Sequence, residues 1–508
     1  MLCGSYYKTL NVFCFRHDDF YGNYALIMNE SSNLKQQVLH SLKWVALGKV
    51  FTQIIRWVVT FWVIRLLLPE DYGVVAMADV FFSFLTLFIG SLFTPALIQS
   101  KELTQKTLKQ MFGMILVVHA CLFTLQIIIA DAVGAYYQSD IVASILKVNA
   151  WCFLILAFEI IPAALLARNM EFKKVSIISA IANISAAITT FTLAYLGYGF
   201  WALIFGEIVS ISLRTAMTLI ISPIKYLPSF KFAEISHLLK FGGLLTGHAT
   251  LAYIFLHMDV AIAGRYMSAV EIGLFAIGLQ FALMPQKKLL PLLRQVAFPA
   301  FSKIQDQPER INNYILKAQK FSLLITIPIF WGLASVVDLI IPIILGEKWL
   351  DAVIPTMIIL LIMPLRFSEE LFGPALKSQR KVKHMMINLW IMTGIMLFGI
   401  LFGIEYGAIG LALAWAIGFP LAFIVVVYRN AKLFNIKLKA IGKLFIAPSL
   451  SGILMLSLVY GCKQLLIDIS LVNLFIQIII GGMAYLFLLF FLDKGALYEL
   501  KNAIKPNC

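Results

Sequence analysis

The sequence predicts an all-α integral membrane protein of about 14 transmembrane helices. Two six-helix lobes, built on a parallel repeat around a central cavity, would be followed by two extra C-terminal helices. Three observations lead there. Of 508 residues, 61% are hydrophobic and 13% charged, against roughly 25% charged in ordinary soluble proteins. So large an apolar fraction overflows one soluble core, because such cores stop growing near ~250–300 residues. The apolar residues fall into fourteen stretches close to the ~20 residues a spanning helix needs, and the chain resembles itself weakly at offsets of 200 to 208. This composition excludes disorder, a disulfide scaffold and a free-standing soluble enzyme. The net charge of +15 does not indicate nucleic acid, because Lys and Arg gather in the cytoplasmic loops of membrane proteins.

From the N-terminus, residues 1–45 read as a cytoplasmic tail and interfacial lead. Residues 1–27 lack the apolar segment of a signal peptide and read as an upstream extension, with Met28 the natural start. Leu34, Val38, Leu42 and Val45 then recur at helical spacing, as in an interfacial helix. Spans follow at 46–66, 74–98, 111–130, 145–167, 175–197 and 200–221, forming an N-lobe over 46–221. A cytoplasmic linker, 222–240, leads to spans 241–264, 271–290, 318–343, 352–372, 385–404 and 406–428, the C-lobe over 241–428. Spans 443–461 and 471–492 form the appended unit 443–492, and 493–508 is a cytoplasmic tail.

Orientation follows from the cations. Of 41 Lys and Arg, with Arg65, Lys287, Lys288, Lys320 and Lys443 at span edges counted with the adjoining connection, 32 fall in the tails and even-numbered connections, four in the odd ones (Arg65, Arg265, Lys348, Lys463) and five inside spans (Lys49, Arg56, Lys147, Arg214, Arg366). The positive-inside rule therefore places both termini in the cytoplasm, and the unbroken alternation supports the count of fourteen, because a miscounted helix would invert every later loop.

At an offset of 200, RLLLPEDYGVVAM (65–77) lies over RYMSAVEIGLFAI (265–277), matching Arg65 with Arg265 and Gly73 with Gly273. At 204, Pro95-Ala96 falls on Pro299-Ala300, and at 208, Tyr198-Gly199 falls on Tyr406-Gly407. These matches map spans 1–6 onto spans 7–12. Six is even, so the halves share an orientation and relate by an axis along the membrane normal, as in one class of transporters.

Charges inside the membrane are costly, at least ~2.5–3.5 kcal/mol each on insertion scales, and usually face a cavity or a partner. In span 1, Lys49, Thr52, Gln53, Arg56 and Thr60 share one stripe opposite an apolar face. Arg56 lies too deep to snorkel easily, whereas Lys49 is near enough to the cytoplasmic headgroups to do so. Asp79, Ser83, Thr86 and Gly90 make a second polar face, and Glu207, Ser210, Arg214 and Thr218 a third. Glu207 and Arg214 are seven apart and need partners elsewhere. Asp259 aligns with His248 in span 7, and Lys147 and Arg214 sit near span ends, where snorkelling competes with a cavity role. Arg366, Glu369 and Glu370, at i, i+3 and i+4, are expected to neutralise one another. The candidate ligand-binding residues are therefore Arg56, Lys49, Gln53, Arg214 and Arg265, and the candidate ion-coupling residues Asp79, Glu207 and Asp259. Mixed charge rich in cations suits an anionic ligand and leaves the carboxylates for Na⁺ or H⁺.

No nucleotide-binding G-x-x-x-x-G-K-[ST] loop, H-E-x-x-H or G-x-S-x-G motif is present, and the six cysteines show neither paired nor metal-ligand spacing. The odd-numbered connections are too short to build an extracytoplasmic catalytic domain. No metal, organic cofactor or catalytic residue is expected.

The segments IRLLLPEDYGVVAMADVFFSF (64–84), SLFTPALIQSKELTQKTL (91–108), IPAALLARNMEFKKVSIIS (161–179), GYGFWALIFGE (197–207), MDVAIAGRYMSAVEIGLFAIGLQFALMP (258–285) and ILGEKWLDAVIP (344–355) together resemble the Wzx-type, WzxC-like lipid-linked oligosaccharide flippases. These are the polysaccharide transporter family of the multidrug/oligosaccharidyl-lipid/polysaccharide (MOP) superfamily. The resemblance runs from Met28 to about span 12, and the 27-residue leader departs from it. It implies that the cargo is an undecaprenyl-diphosphate-linked oligosaccharide repeat unit, moved across the bacterial cytoplasmic membrane for O-antigen, capsule or exopolysaccharide synthesis. Membrane lipids would be further partners, as would polysaccharide polymerase and chain-length proteins. Related peptidoglycan-precursor flippases hold the diphosphate with cavity cations that include span 1, the type and place of Lys49 and Arg56. Arg265 resembles the arginine closing the family's D-x-x-I-x-G-R pattern, here Asp259 to Arg265, and an extracytoplasmic anchor is an equal reading of it. The alternative is a cation-coupled drug or small-metabolite exporter of the same superfamily, which would favour a carboxylate-dominated cavity. The Lys49/Arg56 stripe argues against it.

Overall fold

The computed structural model describes residues 53, 57–93, 97, 104–224, 226–232, 236–304, 306–465 and 469–495, without the side chains of 90–92, 236–246, 248 and 292–300. Lys49 and Arg56, the expected interfacial lead and the N-terminal extension lie outside these residues. The described elements are helical. In order they are α1 (Trp57–Leu66), α2 (Pro69–Leu92), α3 (Gln105–Tyr137), α4 (Asp140–Leu156), α5 (Ile160–Arg168), α6 (Phe172–Tyr195), α7 (Trp201–Ile221), α8 (Ser236–Ala263), α9 (Ala269–Lys303), α10 (Pro308–Ile344), α11 (Val353–Glu370), α12 (Phe372–Ser378), α13 (Val382–Gly403), α14 (Gly407–Leu433), α15 (Leu438–Leu465) and α16 (Leu471–Leu492). A helix, or part of one, lies in each of the fourteen apolar stretches. Among the described residues ten helices are long and apolar enough to cross a membrane, or eleven with the bent pair α4–α5. One of the ten, 382–433, contains both α13 and α14 around a 3₁₀ turn at Ile404–Tyr406. This is a multi-pass membrane protein. Lipid can satisfy no free backbone group, which is why continuous helices dominate.

The chain breaks where its local chemistry requires. Pro69 opens α2, with Asp71 in its first turn, and Ser268 and Glu271 form a reciprocal cap at the start of α9. Leu68 and Ser268 are 200 apart, as are Asp71 and Glu271. Leu68 N donates to Asp71 Oδ2 (2.8 Å) and Ser268 N to Glu271 Oε2 (3.1 Å), so the same local device begins both helices. Gly199 and Gly407, with φ of +55° and +64°, occupy left-handed conformations that favour glycine. A side chain at Gly199 would meet the Asp71 carboxylate, and one at Gly407 the Glu271 carboxylate. The expected repeat is therefore a repeat of contacts as well as of letters.

The two lobes meet along α2, α8 and α9. A Cβ at Gly73 would fall on the Ala269 carbonyl oxygen, and one at Gly273 on the Pro69 carbonyl oxygen. Residue 73 against 269 and 273 against 69 is a self-complementary contact, as expected across a two-fold axis. Small residues let membrane helices approach this closely. Around the crossing, Trp349 Nε1 donates to Ile64 O (3.0 Å) and Lys348 Nζ to Leu66 O (2.9 Å), supplying donors to the orphan carbonyls at the end of α1. Tyr72 packs edge-on against the buried Trp349. Nearer mid-depth, Tyr253 OH donates to Val80 O (2.7 Å). The seam thus runs from the end bearing the odd-numbered connections to the middle of the bundle. Beside it, α15 and α16 pack on α10, where Lys463 Nζ reaches both Asp338 oxygens at 2.6 and 2.7 Å.

Candidate functional site

Inside the N-lobe a polar cluster forms where the fourth span breaks. α4 and α5 meet at 49°, and Glu159 stands in the break, with 13% of its side chain exposed. Arg214 Nε on α7 donates to Glu159 Oε1 (2.7 Å), and Thr215 Oγ1 to Glu159 Oε2 (3.2 Å). Glu207, two turns earlier on α7, lies within electrostatic reach of Arg214 and of Asp79 on α2. Asp79 Oδ1 accepts from Ser83 Oγ (2.8 Å) and faces Tyr253 and His257 of α8 electrostatically. Those two rings stack at 4.2 Å. Three of the residues singled out from the sequence, Asp79, Glu207 and Arg214, are therefore brought together, and a chain of polar groups runs from the α4–α5 break to the lobe seam. Its chemistry is amphoteric: one guanidinium among three carboxylates, with hydroxyls between them.

One other expectation changes. Arg214 does not depend on snorkelling, because Glu159 partners it. Glu159 was missed because it is a single carboxylate in an apolar run, and its only local signal is Pro162 three residues on. Arg265 is absent from the cluster. It stands exposed at the seam, where Nη1 donates to Tyr136 O (2.6 Å) and the guanidinium lies 5.2 Å from the Tyr136 ring centre. Lys147, at its span end, pairs with exposed Asp131 at 2.6 Å. Gln53 is a half-buried helical residue.

Asp259 lies apart, in the C-lobe interior and 1% exposed. It accepts from Trp415 Nε1 (3.2 Å), and Arg366 lies over the same indole at 4.3 Å. The expected local neutralisation of Arg366 is incomplete: Glu369 and Glu370 are near enough to act on it, as is Asp259, but its buried Nη1 has no hydrogen-bond partner. Sequence spacing shows the i, i+3 and i+4 carboxylates but not the contribution of α8 and α14. Among the described residues no group of three or more His, Cys, Asp or Glu could hold a metal ion.

A protein of Klebsiella pneumoniae described as an uncharacterized membrane protein in the cps region is 25% identical over 482 residues, 93% of this chain and 99% of its own length. The lipopolysaccharide biosynthesis protein WzxC of Escherichia coli K12 is 26% identical over 348 residues, 66% of this chain and 68% of WzxC. Among solved structures, the lipid II flippase MurJ in an inward closed conformation matches with a TM-score of 0.73 at 19% identity. That match covers 89% of this chain and 99% of MurJ, a likeness of fold. The family model for polysaccharide biosynthesis proteins matches residues 62–354, more than half of the 508 residues, and the chain belongs to that family.

Proposed function

We propose that this protein is a flippase that carries an undecaprenyl-diphosphate-linked oligosaccharide repeat unit across the bacterial cytoplasmic membrane, for O-antigen, capsule or exopolysaccharide assembly. The observation that carries the reading is the self-complementary crossing of Gly73 and Gly273. It joins two equivalent lobes at the odd-connection end of a bundle that holds ionisable groups at membrane depth, and a carrier that opens to alternate sides needs such a seam. Membership of a polysaccharide biosynthesis family, a relative named for lipopolysaccharide biosynthesis and the fold shared with a lipid II flippase support a lipid-linked saccharide as the cargo. In this reading both termini are cytoplasmic, the odd-numbered connections face outward and the protein acts as a carrier with no catalytic step.

The energetics suit export. With the cytoplasm negative, a diphosphate of roughly two charges gains on the order of 4–5 kcal/mol per 100 mV on moving outward. Lys49, Arg56 and Gln53 on one stripe of span 1 would hold the diphosphate, with Arg214 engaged after release from Glu159. Asp79, Glu207 and Asp259 would take up Na⁺ or H⁺ to reset the empty carrier. The polymerase and chain-length proteins that use the exported unit are the expected partners on the outer side.

A deletion strain tests this. Surface polysaccharide should be lost, with single lipid-linked units accumulating in the inner leaflet, and wild type but not Arg56→Ala should restore export. Normal polymer with no trapped unit, in a strain without a second flippase, would overturn the reading in favour of a small-molecule exporter. Export insensitive to both ion gradients would remove the coupling role of the carboxylates.

A further inference from the structure

A cavity of about 670 Å³ lies wholly within the C-lobe, walled by α8, α9, α11, α12, α13 and α14. Its volume falls in the ~300–1,000 Å³ range of small-molecule sites. Ala252, Phe255 and Leu256 of α8 form one wall, while Tyr253 between them points the other way, to Val80 of the N-lobe. One helix therefore separates the cavity from the lobe seam. Lys377 and Met385, either side of the α12–α13 connection, place the cavity toward the end with even-numbered connections.

Two polar side chains on this wall are more than nine-tenths buried and incompletely bonded. Arg366 is 6% exposed and Gln286 7%, and neither Arg366 Nη1 nor Gln286 Oε1 has a partner. Both atoms are buried behind the cavity surface, and a buried polar atom left unmade costs free energy until a side-chain rotation turns it to a ligand or water. One of these atoms is a charged donor and the other a neutral acceptor, on different helices. The charged groups of the wall are Arg366, Lys377, Glu369 and Glu370, two of each sign. A phosphate would meet the carboxylates and a cation the guanidinium. A neutral group that both donates and accepts, with an apolar face for Phe255 and Phe419, meets no such penalty.

We infer that this cavity is a saccharide subsite, receiving hydroxyl-rich rings of the cargo, with Arg366 and Gln286 as its specificity-determining residues. The inference rests on the reading of the cargo as a lipid-linked saccharide. In that arrangement the diphosphate is held outside the C-lobe, and the sugar enters behind α8 from the cytoplasmic side, where repeat units are assembled.

The test uses the full-length protein in lipid nanodiscs and two probes: the free repeat-unit oligosaccharide, released from the source bacterium's surface polysaccharide, and undecaprenyl diphosphate without sugar. Wild type should bind both. Gln286→Leu and Arg366→Gln should weaken oligosaccharide binding at least tenfold and leave the sugar-free lipid unchanged. Ala252→Phe, which fills the cavity without removing a polar group, should do the same and guards against misfolding of the first two. Oligosaccharide binding that survives all three substitutions would overturn the inference, as would oligosaccharide binding absent from wild type. So would protection of the cavity by Na⁺ alone, which would make it an ion site. Failure of the sugar-free lipid to bind, with oligosaccharide binding intact and cavity-dependent, would instead count against the flippase reading and leave the subsite standing.

Discussion

Arg65 and Arg265 make the same contact in opposite lobes. Arg65, at the end of α1, donates through Nη1 to Ile343 O (3.2 Å) in the last turn of α10. Arg265, just beyond α8, donates through Nη1 to Tyr136 O (2.6 Å) in the last turn of α3. Each guanidinium leaves its own lobe and supplies a charge to the negative end of a helix dipole in the other, where the final carbonyls lack intrahelical partners. The pair straddles the glycine crossing and clasps the two lobes at the odd-connection end.

If the seam must part during transport, the two arginines should contribute alike. A Met267→Cys reporter, buried beside the seam, in a background cleared of the six native cysteines, can be labelled with an impermeant maleimide from the outer face. Arg65→Ala and Arg265→Ala should each raise the labelling rate severalfold and to similar extents, and the double variant should exceed either single. Charge-assisted hydrogen bonds set the upper bound, on the order of a hundredfold per contact, lowered to severalfold by solvent at these exposed sites. Labelling that responds to only one arginine would contradict the symmetric clasp.

The glycines are less forgiving. At Gly73 and Gly273 an added methyl falls on a backbone oxygen, so no side-chain rotation relieves it and the helices must separate. Gly73→Ala and Gly273→Ala are each expected to cost about 1–3 kcal/mol, as overpacking does, and to open the seam in the same labelling assay. Gly394→Ala and Gly442→Ala, which meet nothing within 4 Å, should leave labelling unchanged and should not lower thermal stability, since alanine is the better helix former.

The appended helices are tied to the C-lobe by a polar contact. Lys463 on α15 grips Asp338 on α10 with 23% and 42% of the two side chains exposed. Lys463→Met should lower the melting temperature in detergent only slightly, about 1 kcal/mol or less of stability, because Met455, Tyr485 and Leu489 still pack the same helices onto Leu323, Leu324 and Ile327. Export should persist. A large loss of export would assign these two helices to the transport path.

Local chemistry explains how much of this was legible. Caps, turn glycines and close-approach glycines need particular residues at particular positions, so the repeat surfaced in the sequence at Arg65/Arg265, Gly73/Gly273 and Gly199/Gly407, and the structure uses all three pairs. The polar stripes of α2 and α7 were visible as helical periodicity, which brought Asp79, Glu207 and Arg214 into view. Contacts between distant residues leave no period. Nothing in the spacing links Glu159 to Arg214, 55 positions away, or Asp259 to Trp415, 156 away, and hydropathy averages run smoothly across the bend between α4 and α5. For the same reason the i, i+4 pattern around Arg366 suggested a neutralised side chain, whereas one of its buried nitrogens has no hydrogen-bond partner.

The bend itself yields the last prediction. Glu159 occupies the interruption between α4 and α5, and Arg214 and Thr215 complete its carboxylate. Broken membrane helices are tolerated where neighbouring groups satisfy them, and in transporters such interruptions often lie near the substrate path. Removing Arg214 leaves Glu159 a largely buried charge alone, and removing Glu159 leaves a partly exposed guanidinium without its partner. Glu159→Gln and Arg214→Gln should each destabilise by about 1–3 kcal/mol, below the cost of a fully buried pair because Arg214 is partly exposed. The exchange Glu159→Arg with Arg214→Glu should recover most of the stability, because the pair is re-formed. Export need not follow. Glu207 and Asp79 act electrostatically on this cluster, so reversing the pair moves a positive charge away from Glu207. A stable but transport-inactive exchange variant, scored by surface polysaccharide, would show that the position of the arginine matters beyond folding. Full export by the exchange variant would reduce Arg214 to a structural partner.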